Sequence, residues 1–260
     1  MRSLNVKELS FKIQEWIKEY IESAKSEGVV IGLSGGIDSS VTAALCVNAL
    51  GNEKVIGVSL PCESLQEDIE DAEVLANQLE LEFLKINLTS TYKEFIQNFP
   101  SKIHPTKLSL GNIKPRLRMT AFYFIGQSKG NFLVAGTGNR TEIVIGYFTK
   151  YGDGGVDFEP IGDLYKCEVK ELAKELGLPN NIINKPPSAG LWRGQTDEDE
   201  IGIDYDTLDE IIYRMDYELA MDNLNSKKVE KVKKMIQSTQ HKRKMPPVFK
   251  IKIGNLKPTK

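Results

Sequence analysis

The chain predicts a doubly wound parallel α/β sheet with helices on both faces, folded as a single domain over residues 1–260. Three observations carry that expectation. Strand-like and helix-like segments alternate along the first half of the sequence, the order that a parallel sheet with crossover helices requires. The strand segments are almost wholly apolar, as strands covered on both faces are. No proline- or glycine-rich linker and no internal repeat divides the 260 residues, a length one large α/β domain accommodates.

The elements follow in order. Residues 7–27 space their apolar side chains as an amphipathic helix does. Val29 to Leu33 reads as a buried strand running into Ser34-Gly35-Gly36, a tight turn with exposed backbone amides. Asp38, Ser39 and Ser40 then open an apolar-periodic helix, Ile37 to Leu50. Lys54 to Pro61 (KVIGVSLP) is a second strand, followed by a helix over Gln66–Leu79. Glu82 to Leu88 (EFLKINL) is a third strand, followed by a short helix near residues 91–98. A helix from Arg116 to Ser128 leads to a fourth strand, Phe132 to Thr137. Sheets of this kind bind ligands beyond the carboxyl ends of their strands, so residues 34–40, 61–65 and 137–142 share the functional edge.

Composition narrows the partners. A net charge of −2 gives no support for a nucleic-acid surface. Hydrophobic residues at 40% and charged residues at 27% are ordinary for a soluble globular protein. Glu8, Glu15, Lys18 and Glu19 interrupt the N-terminal apolar residues, which fits neither a signal peptide nor a membrane span. Cys46, Cys62 and Cys167 are odd in number and lack C-x-x-C spacing, so they read as reduced thiols of a cytoplasmic protein.

The segment VVIGLSGGIDSS (29–40) is the most informative. A strand, a glycine turn and a helix N-terminus form an anion cradle, because unpaired N–H groups and the helix dipole converge there. Asp38 inside that cradle repels a phosphate unless a cation stands between them, which argues for a metal-bound nucleotide. The stretch resembles the SGGxDS loop of the ATP pyrophosphatases, which cleave ATP between its α and β phosphates. It is not a Walker A loop, since no Gly-Lys-Ser/Thr occurs in the chain. Gly32-Leu33-Ser34-Gly35-Gly36 also fits the G-x-S-x-G elbow of serine hydrolases. Against that stand the position on the first strand, the missing HGGG motif, and the bare surroundings of the two histidines, His104 and His241.

A second segment, residues 136–166, opens with Gly136-Thr137-Gly138, but Thr141 stands where a dinucleotide fingerprint has its third glycine. Polar groups then crowd behind the fourth strand: Thr137, Asn139, Arg140, Thr141 and Glu142. Residues 147–157 interleave aromatics, Lys150, acids and glycines, the composition of a lid or binding loop. GNIKPRLRM (111–119), GYFTKYGDGG (146–155) and the pyrophosphatase loop occur in that order in ammonia-dependent NAD synthetases. The resemblance extends through Lys185-Pro-Pro-Ser188, Leu191-Trp192, DEDEIGIDYDTLD (197–209) and His241-Lys242-Arg243, roughly from residue 10 to residue 250.

That resemblance implies that ATP, deamido-NAD and ammonia give NAD, AMP and pyrophosphate, with magnesium required. It implies Asp38 and Glu142 on Mg2+, to which hard oxygen ligands are suited. It places the ATP in contact with Gly32, Leu33, Ser34, Gly35, Gly36, Ile37, Asp38, Ser39, Thr137, Lys166 and Ser188. It places deamido-NAD on Arg116, Lys150, Asp157, His241 and Lys242, whose cations suit a pyrophosphate and a carboxylate. Asp153 is the candidate to attract ammonium and take its proton. Many members read T-D-H-A-A where residues 137–141 read TGNRT, so the histidine of that stretch is missing here. Family members are homodimers, and helices 7–27 and 113–128 are candidate interface elements. Glutamine-dependent members carry an extra amidase domain, for which about thirty residues before the ATP loop are too few. The expected nitrogen donor is therefore free ammonia or ammonia from another chain. The competing readings are a superfamily enzyme such as a tRNA thiolase, lysidine synthetase or GMP synthetase, those acting on tRNA lacking their basic surface or cysteine pairs here, and a nucleotide-binding regulatory module without turnover.

Overall fold

The computed structural model describes residues 1–192 and 194–250; residue 193 and the last ten positions of the expected domain lie outside the described residues. Its elements run α1 (Val6–Ser23), β1 (Gly28–Gly32), α2 (Ile37–Leu50), β2 (Val55–Ser59), α3 (Gln66–Gln78), β3 (Glu82–Lys85), α4 (Thr89–Gln97), α5 (Lys107–Gly111), α6 (Ile113–Lys129) and β4 (Phe132–Ala135). Then come α7 (Arg140–Ile145), α8 (Lys166–Glu175), α9 (Asn180–Ile183), α10 (Asp197–Ile201), α11 (Tyr205–Asp216) and α12 (Ser226–Ser238).

The strands form one parallel sheet in the order β3-β2-β1-β4. Val29 pairs with Val55 on one side of β1 and with Leu133 on the other. The chain moves outward from β1 through β2 to β3, then returns to place β4 on the far side of β1. The switch point therefore lies at the carboxyl ends of β1 and β4, where an open α/β sheet leaves a crevice.

Alternation along the central strand distributes the core. Val29 and Ile31 pack with α1, α2, α3 and α8, through Ile17, Val41, Leu45, Leu75 and Leu172. Val30 points the other way, with Ile56, Val58 and Ile125 of α6. Both faces of β1, β2 and β4 are covered, which is why those strands read as continuous apolar runs, whereas Glu82 and Lys85 of the edge strand β3 are exposed. Truncating the fully buried Ile31 to alanine carries the usual core cost of about 2–5 kcal/mol.

Several boundaries differ from the sequence reading for physical reasons. Helix α2 is not a one-sided amphipathic helix: Ser39 through Cys46 are all buried, because α1 and α8 cover the side that faces away from the sheet. Strand β3 ends at Lys85, although the amides of Ile86 and Leu88 still reach the carbonyls of Ser59 (3.0 Å) and Pro61 (2.7 Å). Strand β4 stops at Ala135, where Gly136 turns to bond the Phe158 carbonyl at 2.8 Å. Helix α6 begins three residues earlier than Arg116, with Pro115 in its first turn, where a missing N–H costs nothing. The sequence reading assigned no elements beyond residue 137. There α7, α10, α11 and α12 build a separate helical cluster around Ile145, Tyr205, Leu208, Ile211 and Val232. No helix among the described residues is long and apolar enough to cross a membrane.

Candidate active site

A cleft of roughly 710 Å³ opens over the carboxyl ends of β1, β2 and β4. Its floor is the turn between β1 and α2. Gly36 precedes α2 with an extended backbone and supplies no side-chain cap, so the amides of the first helical turn are left for a ligand. The hydroxyls of this turn shape it: Ser34 Oγ and Ser39 Oγ lie 3.0 Å apart, and Ser39 and Ser40 donate to the Gly36 carbonyl at 3.0 and 2.8 Å. Gly35 has φ 76°, and a Cβ there collides with the Asp68 carbonyl of α3. Any other residue at position 35 is strained and lifts the turn off α3.

Behind the turn, two carboxylates converge on one ammonium. Lys166, at the first position of α8, is 2% exposed. Its Nζ lies 2.5 Å from Asp38 Oδ2 and 3.1 Å from Glu142 Oε1, and 4.9 Å from the Tyr205 ring centre. Asn139 joins the two acids from another side. Its Nδ2 donates to Asp38 Oδ1 at 3.0 Å, while its Oδ1 accepts the Glu142 amide at 3.0 Å and caps α7. The Tyr205 hydroxyl donates to Glu142 Oε1 and Asp197 Oδ2, each at 3.0 Å. Burial pushes the Glu142 carboxyl up to about 7, against the pull of Lys166. Burial works against the charge on Lys166, yet Asp38 and Glu142 hold its pKa above the ordinary lysine value.

The cleft wall formed by residues 146–155 turns on Gly146, which ends α7 in the left-handed region at φ 70°. Asp153 lines the cleft, and its Oδ1 accepts the Thr149 amide at 3.0 Å. Burial raises its proton affinity, with the Thr149 amide opposing. Opposite, the segment 186–197 is tied back through Ser188 Oγ, which donates to the Gln195 carbonyl at 2.8 Å, and through Asp197, which accepts the Ala189 amide at 2.9 Å.

The expected site residues fall into three groups. Gly32, Leu33, Ser34, Gly36, Ile37, Asp38, Ser39, Thr137, Glu142, Asp153, Lys166, Ser188 and Lys242 line the cleft, with Gly35 just behind it. Lys242 Nζ donates to the Gly146 and Phe148 carbonyls at 2.8 and 2.7 Å, bracing the wall. Arg116, Lys150 and His241 form an exposed chain outside it: Arg116 donates to the Lys150 carbonyl at 3.3 Å, and Lys150 Nζ to the His241 carbonyl at 2.6 Å. Asp157 stands apart. Its carboxylate accepts the Val134 amide at 2.7 Å and the Tyr123 hydroxyl at 3.0 Å, and so fastens the outer edge of β4.

Sequence reasoning missed Asn139, Tyr205, Asp197 and Arg118 as site residues. Asn139 had a signal, since Asn followed three positions later by Glu marks a helix start. Arg118, two residues after Arg116, lines the cleft and donates to the Leu60 carbonyl at 3.1 Å. Tyr205 and Asp197 come from a helical cluster that has no period-two or loop signature to mark it.

Comparison with known proteins identifies the family. A family model described as NAD synthase matches residues 9–246. The chain is 46% identical to an NH(3)-dependent NAD(+) synthetase of Carboxydothermus hydrogenoformans, over 94% of this chain and 98% of that one. It is 43% identical to the protein of that name in Finegoldia magna, over 97% and 100%. Among solved structures, an NMN synthetase from Francisella tularensis superposes with a TM-score of 0.87 at 35% identity, covering 96% of this chain and 100% of that one. An NH3-dependent NAD synthetase from Campylobacter jejuni, in complex with nitrate, gives 0.82 at 33%, covering 95% and 100%.

Proposed function

The chain belongs to the NAD synthase family, and from that premise we propose that it is a ligase amidating deamido-NAD with ammonia at the expense of ATP, giving NAD, AMP and pyrophosphate. The observation that carries the reading is the pairing of Asp38 and Glu142 on one cation beside an uncapped helix start. A nicotinate carboxylate does not acylate ammonia, because its leaving group is oxide. In the proposed reaction a carboxylate oxygen attacks the α-phosphorus of ATP, the bond to the bridging oxygen breaks, and pyrophosphate leaves. Ammonia then adds to the acyl carbon, AMP departs with the oxygen, and a proton is lost. The amides and hydroxyls of residues 34–39 are placed to receive the departing pyrophosphate, and positioning and charge neutralisation supply most of the rate.

Magnesium fits the residues present. Asp38 and Glu142 offer hard oxygens from separate helices and already share one positive charge, the Lys166 ammonium. No group of three or more acidic, histidine or cysteine side chains among the described residues makes a cage of its own, which suits an ion that keeps ATP phosphates in its shell. When bound, the ion neutralises phosphate charge. Thr137, Lys166 and Ser188 are the ATP contacts of this reading, Arg116, Lys150, Asp157, His241 and Lys242 those of deamido-NAD, and Asp153 the ammonium acceptor. The reading further takes residues 1–260 as one domain, active as a cytoplasmic homodimer.

The test is a mixture of protein, ATP, magnesium, ammonium and deamido-NAD, with NAD followed through alcohol dehydrogenase. NAD formation that vanishes without ammonium, and in Asp38→Ala, is the expected result. A parallel mixture with the nicotinate mononucleotide separates the dinucleotide substrate from the alternative suggested by the similar NMN synthetase. Product only in that second mixture, or in neither, overturns the assignment.

A further inference from the structure

Helix α11 presents two acids two turns apart, Asp209 and Asp216, and each grips both the start of α7 and the start of α8. Asp216 takes the Arg140 guanidinium (2.9 and 2.6 Å) and the Tyr165 hydroxyl (2.6 Å). Asp209, 2% exposed, takes the Thr141 hydroxyl at 2.5 Å and the amides of Lys166 and Cys167 at 3.3 and 2.8 Å. Thr141 is fully buried and precedes Glu142; Lys166 opens α8. A carboxylate from a distant helix thus caps α8 and holds the first turn of α7 against it.

We propose that Asp209 is a positioning residue for the reaction: by joining Thr141 to the backbone of Lys166 and Cys167, it sets the distance between the Lys166 ammonium and the Glu142 carboxylate. The geometry leaves little slack. The side chains of residues 142 and 166 meet at 3.1 Å directly beside the two anchors, at 141 and at 166–167. A helix start that loses its cap frays within its first turn, and that turn is where Lys166 stands. Asp209 touches no ligand in this account and acts through its neighbours; its catalytic consequence rests on the amidation reading above.

Asp209→Asn is the first variant, because it keeps size and removes the charge that accepts three donors. Thr141→Val is the second, which decides the matter if the first does not fold, and Thr141→Ser is the conservative rescue. Asn225→Ala is the control: Asn225 caps α12 away from the cleft through the Lys227 and Lys228 amides at 3.0 and 3.3 Å. Tm, kcat, and KM for ATP and ammonium are measured for each, together with the thermal upshift given by ATP and magnesium alone. Expected are a fall in kcat of tenfold or more and a rise in the KM for ATP in Asp209→Asn and Thr141→Val. The KM for ammonium stays within twofold, and Thr141→Ser recovers most of the activity. Asn225→Ala loses Tm and keeps its kinetics. The proposal is overturned if both site variants lose only Tm, or if Asn225→Ala shows the same kinetic losses. A wild type that forms no NAD defeats the amidation reading alone, because the ATP-induced upshift still reports on Asp209: it shrinks in the site variants if Asp209 positions Lys166, and is unchanged if it does not.

Discussion

Asn139 Nδ2 lies 3.0 Å from Asp38 Oδ1, and the same side chain caps the helix that carries Glu142. One amide therefore ties the Asp38 carboxylate to the backbone of the helix that carries Glu142, the second acid that Lys166 pairs. TGNRT, the stretch that departs from the pattern expected from the resemblance, has this asparagine at its centre.

The donor and acceptor ends of that amide are separable. Asn139→Asp retains an oxygen for the Glu142 amide but sets a second negative charge against Asp38. Asn139→Ala loses both bonds, a capping loss of about 1 kcal/mol. If the Nδ2–Asp38 bond matters for nucleotide binding, Asn139→Asp is the less active of the two and has the higher KM for ATP, although it caps better. Equal kinetics in the two variants would reduce Asn139 to a cap.

Lys166 neutralises two acids from a position that water hardly reaches. Lys166→Met leaves Asp38 and Glu142 facing each other without a counter-charge, and removing one partner of a buried ion pair costs about 3–5 kcal/mol. Both acids keep some contact with the cleft, at 18% and 17% side-chain exposure, so the lower end of that range is expected in urea denaturation at neutral pH. Adding Asp38→Asn to Lys166→Met should restore part of the loss. No restoration would show that packing of the lysine stem, and not its charge, holds the pair.

The sheet was legible because both of its faces are covered: continuous apolar runs bounded by glycine and polar turns allow no other placement for β1 and β2. The turn after β1 was legible for a related reason, since Ser34-Gly35-Gly36 answers a local demand for positive φ and bare amides. The roles of Asp209, Tyr205 and Asp197 were not, although all three lie in the DEDEIGIDYDTLD stretch that carries part of the resemblance. Each belongs to a helix whose own sequence pattern records only which face is apolar, and their partners lie 8 to 68 residues away. Asp157, which the resemblance alone put on deamido-NAD, also holds the Val134 amide and the Tyr123 hydroxyl beside β4, bonds that no spacing rule announces.

Glu159 supplies a pH dependence. Its Oε2 accepts the Gly138 amide at 2.9 Å, and burial pushes its carboxyl up to about 8 despite that bond, with Glu142 and Asp153 adding to the rise. The unfolded chain releases this proton near the ordinary value of 4.5. Between about pH 4.5 and 8 the folded state therefore binds more protons, and stability falls as pH rises through that window. Glu159→Gln keeps an acceptor for Gly138 and cannot ionise. Its Tm should exceed that of the wild type at pH 8.5, and the two should converge toward pH 4.5. Parallel curves across the whole range would place the Glu159 carboxyl outside the titration of the fold.

Asp153 has two separable duties in this structure. Its Oδ1 accepts the Thr149 amide, which closes the turn of the 146–155 wall, and its carboxylate lines the cleft. Burial raises its proton affinity, which brings it toward the range in which a carboxylate takes a proton from ammonium. Asp153→Asn preserves the acceptor for Thr149 and deletes the charge, so the wall should stand with little change in Tm or in the KM for ATP. Turnover with ammonium should fall by about 10²–10⁴-fold if the carboxylate acts as the base. Asp153→Ala removes both duties and should lose Tm as well. An Asp153→Asn variant with wild-type turnover, beside an Asp153→Ala variant with lowered Tm, would leave this residue as the brace of a loop, and the proton acceptor would have to be sought elsewhere in the cleft.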